Sequence, residues 1–498
     1  MAGDILQGMN NSPEKPSSPF GPFELSDRII DDFMRHSVFR SDLVERLCRM
    51  AADSDAGSAR EAVKAIFPGL IERLNDSFDP GSCSLYDRIF ARIIDFHRNL
   101  PGGSSLDEAL NRFGIFDEND LLLRKNGLFK HLTIPSDARR KVGKVMLLSR
   151  VTIGADVAVT SVILNKLRTI LPDVDFVILG SSKLRELYGG DPHLRIREIA
   201  YDRGGTVLAR LQSWLEVCRA VDEESAGLSP DQFFLIDPDS RLSQLGLLPM
   251  IIDERNYYFF ESRSFSRPGI KRIGELASRW TGELTNRDEP AFPFLALPDE
   301  HRSFGLEIAG KLRQSGAKRL VMISFGAGGN HRKRVSDGFE ESLVNELLKD
   351  STVILDKGAT VDEREQIDRI CRSLRASAGK VVEVDESNAG QILADENFSA
   401  DVVTWDGGVG RFAALIAASD EYIGYDSAGQ HLAAALGTPS ITVFVNSNSP
   451  VFAERWSPYG RGRIDVVHAD ASEADQKSDE ILSQVLKIHE DKITKQTK

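Results

Sequence analysis

Three short stretches carry residues whose types and spacing suit chemistry on a phosphorylated ligand. In the first, Gly424-Tyr425-Asp426-Ser427-Ala428-Gly429-Gln430-His431, an apolar segment runs into small residues and then the alanine-rich HLAAALG. Ser427, Ala428 and Gly429 leave backbone N–H groups uncovered, and free N–H groups at a helix start, with the helix dipole, favour an anion. Plain helix capping by Asp426 or Ser427, worth about 1 kcal/mol, explains the same residues and is compatible with binding. His431 is either a ligand contact or a core histidine. In the second stretch, Ser324-Phe325-Gly326-Ala327-Gly328-Gly329-Asn330, a strand ends in glycines, and Arg332, Lys333 and Arg334 follow. Glycines admit a close backbone approach, and Lys333 or a neighbour can neutralise a diphosphate. A solvated basic loop is the alternative. The third stretch is Thr152-Ile153-Gly154-Ala155-Asp156-Val157. There Asp156, at a helix start, can take the proton of a hydroxyl nucleophile, a role worth about 10²–10⁴ in rate. If it is only a cap, the helix dipole lowers its pKa; burial would oppose that.

Other signals are weaker. Asp237-Pro238-Asp239 has the form of a metal-binding acidic pair, and Trp405-Asp406-Gly407-Gly408 is a further small turn. There is no GxxxxGK[ST], no GxSxG elbow, and no GxGxxG after the first strand, so P-loop, serine hydrolase and dehydrogenase readings fall away.

These residues must be positioned by strands whose carboxyl ends face a ligand, and the sequence supplies them. Residues 144–151 (KVMLLSRV), 175–180 (DFVILG) and 233–237 (FFLID) are apolar runs alternating with helical spacing. That pattern predicts a buried parallel sheet. A stretch with Pro268, Pro290, Pro293 and Pro298 reads as a linker. The alternation restarts with KRLVMISFG, TVILDKG, KVVEVD, EYIGY and SITVF, separated by helical segments. Ligands in such doubly wound units bind at the strands' carboxyl ends. Upstream, residues 24–129 show only helical spacing, with Ser58 and Ser84 at expected N-caps. The expected organisation is a disordered tail 1–23, a helical domain 24–138, two Rossmann-like doubly wound α/β domains at 139–296 and 297–474, and a C-terminal helix and tail 475–498.

A net charge of −13 argues against nucleic acid as the partner. Cys48, Cys83, Cys218 and Cys371 are scattered without metal spacing, which predicts buried free thiols in a reducing compartment. No signal peptide pattern and no apolar run of about 20 residues is present, so a cytoplasmic protein is expected.

Tyr425–Pro439, YDSAGQHLAAALGTP, resembles the N-D-S-G-x-x-H-L-A-A-A-L-G-T-P pattern of glycosyltransferase family 9, the ADP-heptose:lipopolysaccharide heptosyltransferases. Arg455–Gly460 (RWSPYG) is similar to that family's RWGPYG, SFGAGGNHRKRV to its HPGAS…KRW loop, and Arg150–Leu179 to its opening segment. The resemblance runs from about Lys141 to Val467 and leaves the helical N-terminus out. It implies a GT-B fold and inverting, metal-independent transfer of a sugar from a nucleotide diphosphate donor, with no cofactor. Asp156 then matches the catalytic aspartate. Gly326, Lys333, Asp426, Ser427, Ala428, Gly429 and His431 match the donor-binding part. One residue separates Gly154 from Asp156 where the family has none, and Ala428 replaces a glycine. The implied partners are a nucleotide sugar and a glycan or glycolipid acceptor such as lipopolysaccharide core, reached by peripheral contact with the inner membrane face. A nucleotide-sugar-binding protein without transfer, and a GT-B epimerase, are the alternatives.

Overall fold

The computed structural model describes residues 20–129, 133–201, 204–377, 379–446 and 450–496. Most of the tail expected to be disordered lies outside them, but its last residues do not: a helix begins at Pro22.

Apolar runs flanked by helices form two parallel sheets. The first contains β1 (Lys144–Leu148), β2 (Asp175–Gly180), β3 (Leu194–Glu198), β4 (Phe233–Asp237) and β5 (Tyr257–Phe259), in the order β3-β2-β1-β4-β5. The second contains β6 (Leu320–Ser324), β7 (Thr352–Asp356), β8 (Val381–Asp385), β9 (Val402–Asp406), β10 (Glu421–Tyr425), β11 (Ser440–Asn446) and β12 (Ile464–Asp470). Its order is β12-β11-β10-β6-β7-β9-β8. Strand order reverses between β1 and β4 in one sheet and between β10 and β6 in the other, and crevices open at such points. The Asp156 stretch follows β1. The glycine loop and the Asp426 turn follow β6 and β10, which pair in parallel with Gly424 opposite Ser324.

The helical region is built onto the first sheet. Side chains alternate along β1: Val145 and Leu147 face one buried cluster, Met146 and Leu148 another. The second of these clusters is continuous with Leu47, Ile66, Phe90 and Leu110 of the helical region. Buried charge joins the two as well: Lys125 pairs with Asp87 at 2.5 Å and with Glu261 at 3.1 Å. The expected caps are displaced. Asp55 and Asp79, not Ser58 and Ser84, accept the capping bonds, from the backbone N–H of Ser58 (2.8 Å) and Ser82 (2.9 Å). An aspartate caps as well as a serine, and each stands where the chain enters its helix, which puts Ser58 in the first turn and Ser84 just beyond it.

The expected linker is also corrected. Its prolines flank a helix, Ile273–Thr285, in which Ile273, Leu276, Ala277, Trp280 and Leu284 are buried. A second helix, Asp299–Gln314, follows Pro298. The last helix, Ser478–Gln496, packs Ile481 and Val485 into the second unit's core. There Lys492 meets Glu421 at 3.0 Å and Asp465 at 3.3 Å. The units also touch directly: Glu186 accepts the Gly410 N–H (2.9 Å) at the start of helix Val409–Ala418. All four cysteines are buried and unbridged. Among the described residues no helix is long and apolar enough to cross a membrane.

Candidate functional site

Asp156 sits on the first helical turn after β1 and is 2% exposed. Its Oδ2 accepts from Ser149 Oγ (2.6 Å), and its Oδ1 from the Arg150 N–H (2.7 Å) and Thr160 Oγ1 (2.9 Å). The segment carrying it is strained. Val151 has φ 74°, a left-handed conformation costing a β-branched residue about 1–3 kcal/mol, and Ser149 Oγ holds it by accepting its N–H (2.9 Å). Burial pushes the Asp156 carboxyl up to about 6, against the lowering effect of its three hydrogen bonds and the Arg150 charge. Burial therefore prevails over any lowering by the helix start, and a carboxylate of this kind is a stronger proton acceptor than a free aspartate, yet ionised near pH 7.

The other half of the site lies on the second unit. Lys333 Nζ donates to Asp426 Oδ2 at 2.6 Å and Gln430 Nε2 to Asp426 Oδ1 at 2.7 Å. Ser427, at the N-cap of helix Ala428–Leu436, makes no side-chain capping bond. Neither side chain caps the helix, so simple capping does not account for this turn. Of the three consecutive cations, Lys333 is the one at the turn. Arg334 is bound to Glu340 (2.9 Å) and Asp337 (2.5 Å), and Arg332 is exposed. The glycine loop holds Gly328 at φ 63° and Gly329 at φ 78°, positions that favour glycine. Glu363, given no role by the sequence, lies beside this loop. Its carboxylate accepts the N–H groups of Ala327 (2.9 Å), Ala359 (2.9 Å) and Thr360 (3.0 Å). Gly429 has a steric reason as well: a Cβ there would stand 2.0 Å from the Tyr422 hydroxyl oxygen. His431 is buried with its ring edge-on to Trp456 at 6.0 Å, and burial pushes it down to about 4, so the imidazole is neutral.

The two halves meet. A Cβ on Gly154 would lie 3.3 Å from both Ala428 Cα and His431 Cδ2, which brings the Asp156 turn against the start of helix Ala428–Leu436. Trp456 lies at the same junction, with the Arg150 guanidinium 5.9 Å from its ring. The acidic pair does not present itself as a metal site. Asp237 accepts from Ser240 N (2.7 Å), Ser243 Oγ (2.5 Å) and Tyr257 Oη (2.6 Å), whereas Asp239 takes Ser262 Oγ (2.8 Å) and Arg263 Nε (3.1 Å). The two carboxylates serve separate buried networks. Among the described residues no group of three or more His, Cys, Asp and Glu side chains is gathered to hold a metal ion. Asp406 pairs with Arg364 at 3.1 Å.

Residues 408–485 match the family model of glycosyltransferase family 9 (heptosyltransferase). No curated protein sequence matches the chain. Among solved structures, a glycosyltransferase family 9 protein from Veillonella parvula superposes with a TM-score of 0.51 at 13% identity, covering 73% of this chain and 99% of that one. The E. coli heptosyltransferase WaaC, solved with ADP-2-deoxy-2-fluoro heptose, gives a TM-score of 0.46 at 14% identity, over 70% of this chain and 99% of its own. The E. coli ADP-heptose lps heptosyltransferase II gives 0.41 at 14% identity, over 68% and 99%. The family's sequence pattern thus lies in residues 408–485 of the second α/β unit, and the chain shares a two-unit, GT-B-like fold with a glycosyltransferase family 9 protein.

Proposed function

We propose that the chain transfers a heptose-like sugar from a nucleoside diphosphate donor to a hydroxyl acceptor, by an inverting route that needs no metal ion. The diphosphate lies against the start of helix Ala428–Leu436, with Lys333 turning from Asp426 towards it, and Gly326 to Gly329 allow close approach of the backbone. Asp156 takes the proton of the acceptor hydroxyl as its oxygen attacks the anomeric carbon from the face opposite the diphosphate. The leaving charge is stabilised by Lys333 and the helix start, which are already in place before reaction. Acceptor chemistry of the lipopolysaccharide-core type, at the inner membrane face, belongs to the same reading.

The observation that carries it is the contact between the two halves: the turn bearing a buried, proton-accepting carboxylate packs so closely on the helix start that suits a diphosphate that a Cβ on Gly154 would lie 3.3 Å from Ala428 Cα. Asp156→Ala should lower transfer at least about a hundredfold while leaving ADP affinity, read by calorimetry, intact; unchanged turnover sinks the role. One observation favours a second reading, nucleotide-sugar binding without transfer: each Asp156 oxygen already accepts a hydrogen bond from its own unit. ADP binding with no product from any acceptor would establish that alternative.

A further inference from the structure

The helical region enters the cleft. Its turn Asp76-Ser77-Phe78-Asp79 joins the helical segment ending at Asn75 to helix Pro80–Arg98. Two of the four residues shape the turn: Ser77 Oγ donates to the Leu74 carbonyl (2.9 Å), and Asp79 caps the next helix. Asp76 and Phe78 do neither. The Asp76 carboxylate is half-buried and makes no hydrogen bond or ion pair among the described residues. Burial pushes it up to about 6, and the charges that act on it belong to the cleft and its rim: Lys333 and Arg241 lower it, Glu72 and Asp426 raise it. Phe78 holds φ 52°, unfavourable for a bulky residue, and its ring packs on Phe452 (6.3 Å between centroids) and Trp456 (6.5 Å). The Arg455 guanidinium lies 5.6 Å from the same ring. Phe452 in turn has Lys333 Nζ 5.3 Å from its centre.

A carboxylate with free lone pairs beside an aromatic group is the complement of a sugar, which offers hydroxyl donors and an apolar C–H face. It is the wrong complement for a diphosphate, whose charge Asp76 repels. We propose that Asp76 and Phe78, from the helical region, form the glycosyl subsite of the cleft, Asp76 accepting hydrogen bonds from the sugar hydroxyls and Phe78 packing, with Phe452 and Trp456, on the ring. The assignment rests on the reading that Lys333 and the Asp426–His431 turn take the diphosphate, because the sugar is bonded directly to that group. It makes the helical region a third wall of the site, supplying residues that neither α/β unit holds.

Calorimetry on the full chain with two probes, ADP and ADP-heptose, tests it. The unaltered protein should bind ADP-heptose more tightly than ADP. Asp76→Asn and Phe78→Ala should each lose about tenfold in ADP-heptose affinity and keep ADP affinity within about twofold, with Asp76→Asn tightening ADP if it moves at all. Phe78→Tyr, which keeps the ring, should retain both affinities, and unchanged thermal midpoints show that the variants fold. Equal losses for both probes, or no loss for either, overturn the proposal while the diphosphate reading stands. If the unaltered chain binds neither probe, that reading fails and the subsite falls with it.

Discussion

Asp156 and Asp426 stand at corresponding places in the two α/β units, each just past the carboxyl end of a strand beside its sheet's point of reversal, and their surroundings are opposite. Asp426 is ion-paired, with an ammonium at 2.6 Å. Among the described residues Asp156 has no cation at ion-pair distance, and hydroxyl and backbone dipoles hold it. Dipoles fix a carboxylate in position without satisfying its charge, and burial then raises its proton affinity. An ammonium satisfies the charge directly. One unit thus keeps a carboxylate ready to accept a proton. The other keeps a cation whose present partner an incoming anion replaces.

The largest test of this contrast is pH. The Asp156 carboxyl is raised to about 6, so its proton-accepting form is populated above that pH. Transfer, as kcat/KM, should therefore rise about tenfold per unit below pH 6 and level off above it. The residual rate of Asp156→Ala should lack this limb. His431→Gln should keep it, because His431 titrates near 4. A limb that follows His431 instead would break the comparison. Next in size is Lys333→Ala, which removes the cation and leaves Asp426 facing the diphosphate. ADP affinity should fall about 10–100-fold, and the double variant with Asp426→Asn should recover part of it. If the single variant binds ADP normally, Lys333 is only a structural partner of Asp426. The smallest effect concerns the scaffold. Gly429→Ala places a methyl group on the Tyr422 hydroxyl and should cost about 1–3 kcal/mol of stability. Thermal unfolding should show part of this returned by Tyr422→Phe; no destabilisation would mean that Gly429 is there for the ligand alone.

Legibility in the sequence followed physical lines. The strands read correctly, β1, β2, β4, β6, β7, β8, β10 and β11, are mostly interior, and long apolar runs are what burial on both faces requires. Of the four not read, β3, β5 and β12 lie at sheet edges, where LRIRE alternates with charge, YYF has only three residues and IDVVHAD is half polar. The fourth, β9, is interior, but its Trp405-Asp406 end reads in sequence as part of a small turn with Gly407 and Gly408. The Asp426–His431 turn is visible in the sequence because its small residues are consecutive. The turn at Asp76 and Phe78 is not: both look like ordinary helix-connecting residues, and only tertiary packing carries Phe78 to Trp456. Strain was equally silent, since nothing about a valine announces the left-handed backbone of Val151. The reason for Gly429 lay on a neighbouring strand, in the Tyr422 hydroxyl.

The buried Lys125 also has a consequence for the order in which the chain matures. Its ammonium needs Asp87, already made when Lys125 leaves the ribosome, and Glu261, which follows 136 positions later (261 minus 125). At about 5–20 residues per second, that interval is roughly 7–30 s. Until its end the helical region lacks its second carboxylate and the complete first sheet, whose strands emerge one after another from Lys144 to Phe259. The helical region is thus a nascent segment whose apolar face is covered only as the sheet is completed, and a pause or a stop codon before Glu261 would strand it in the form that chaperones hold and proteases cut.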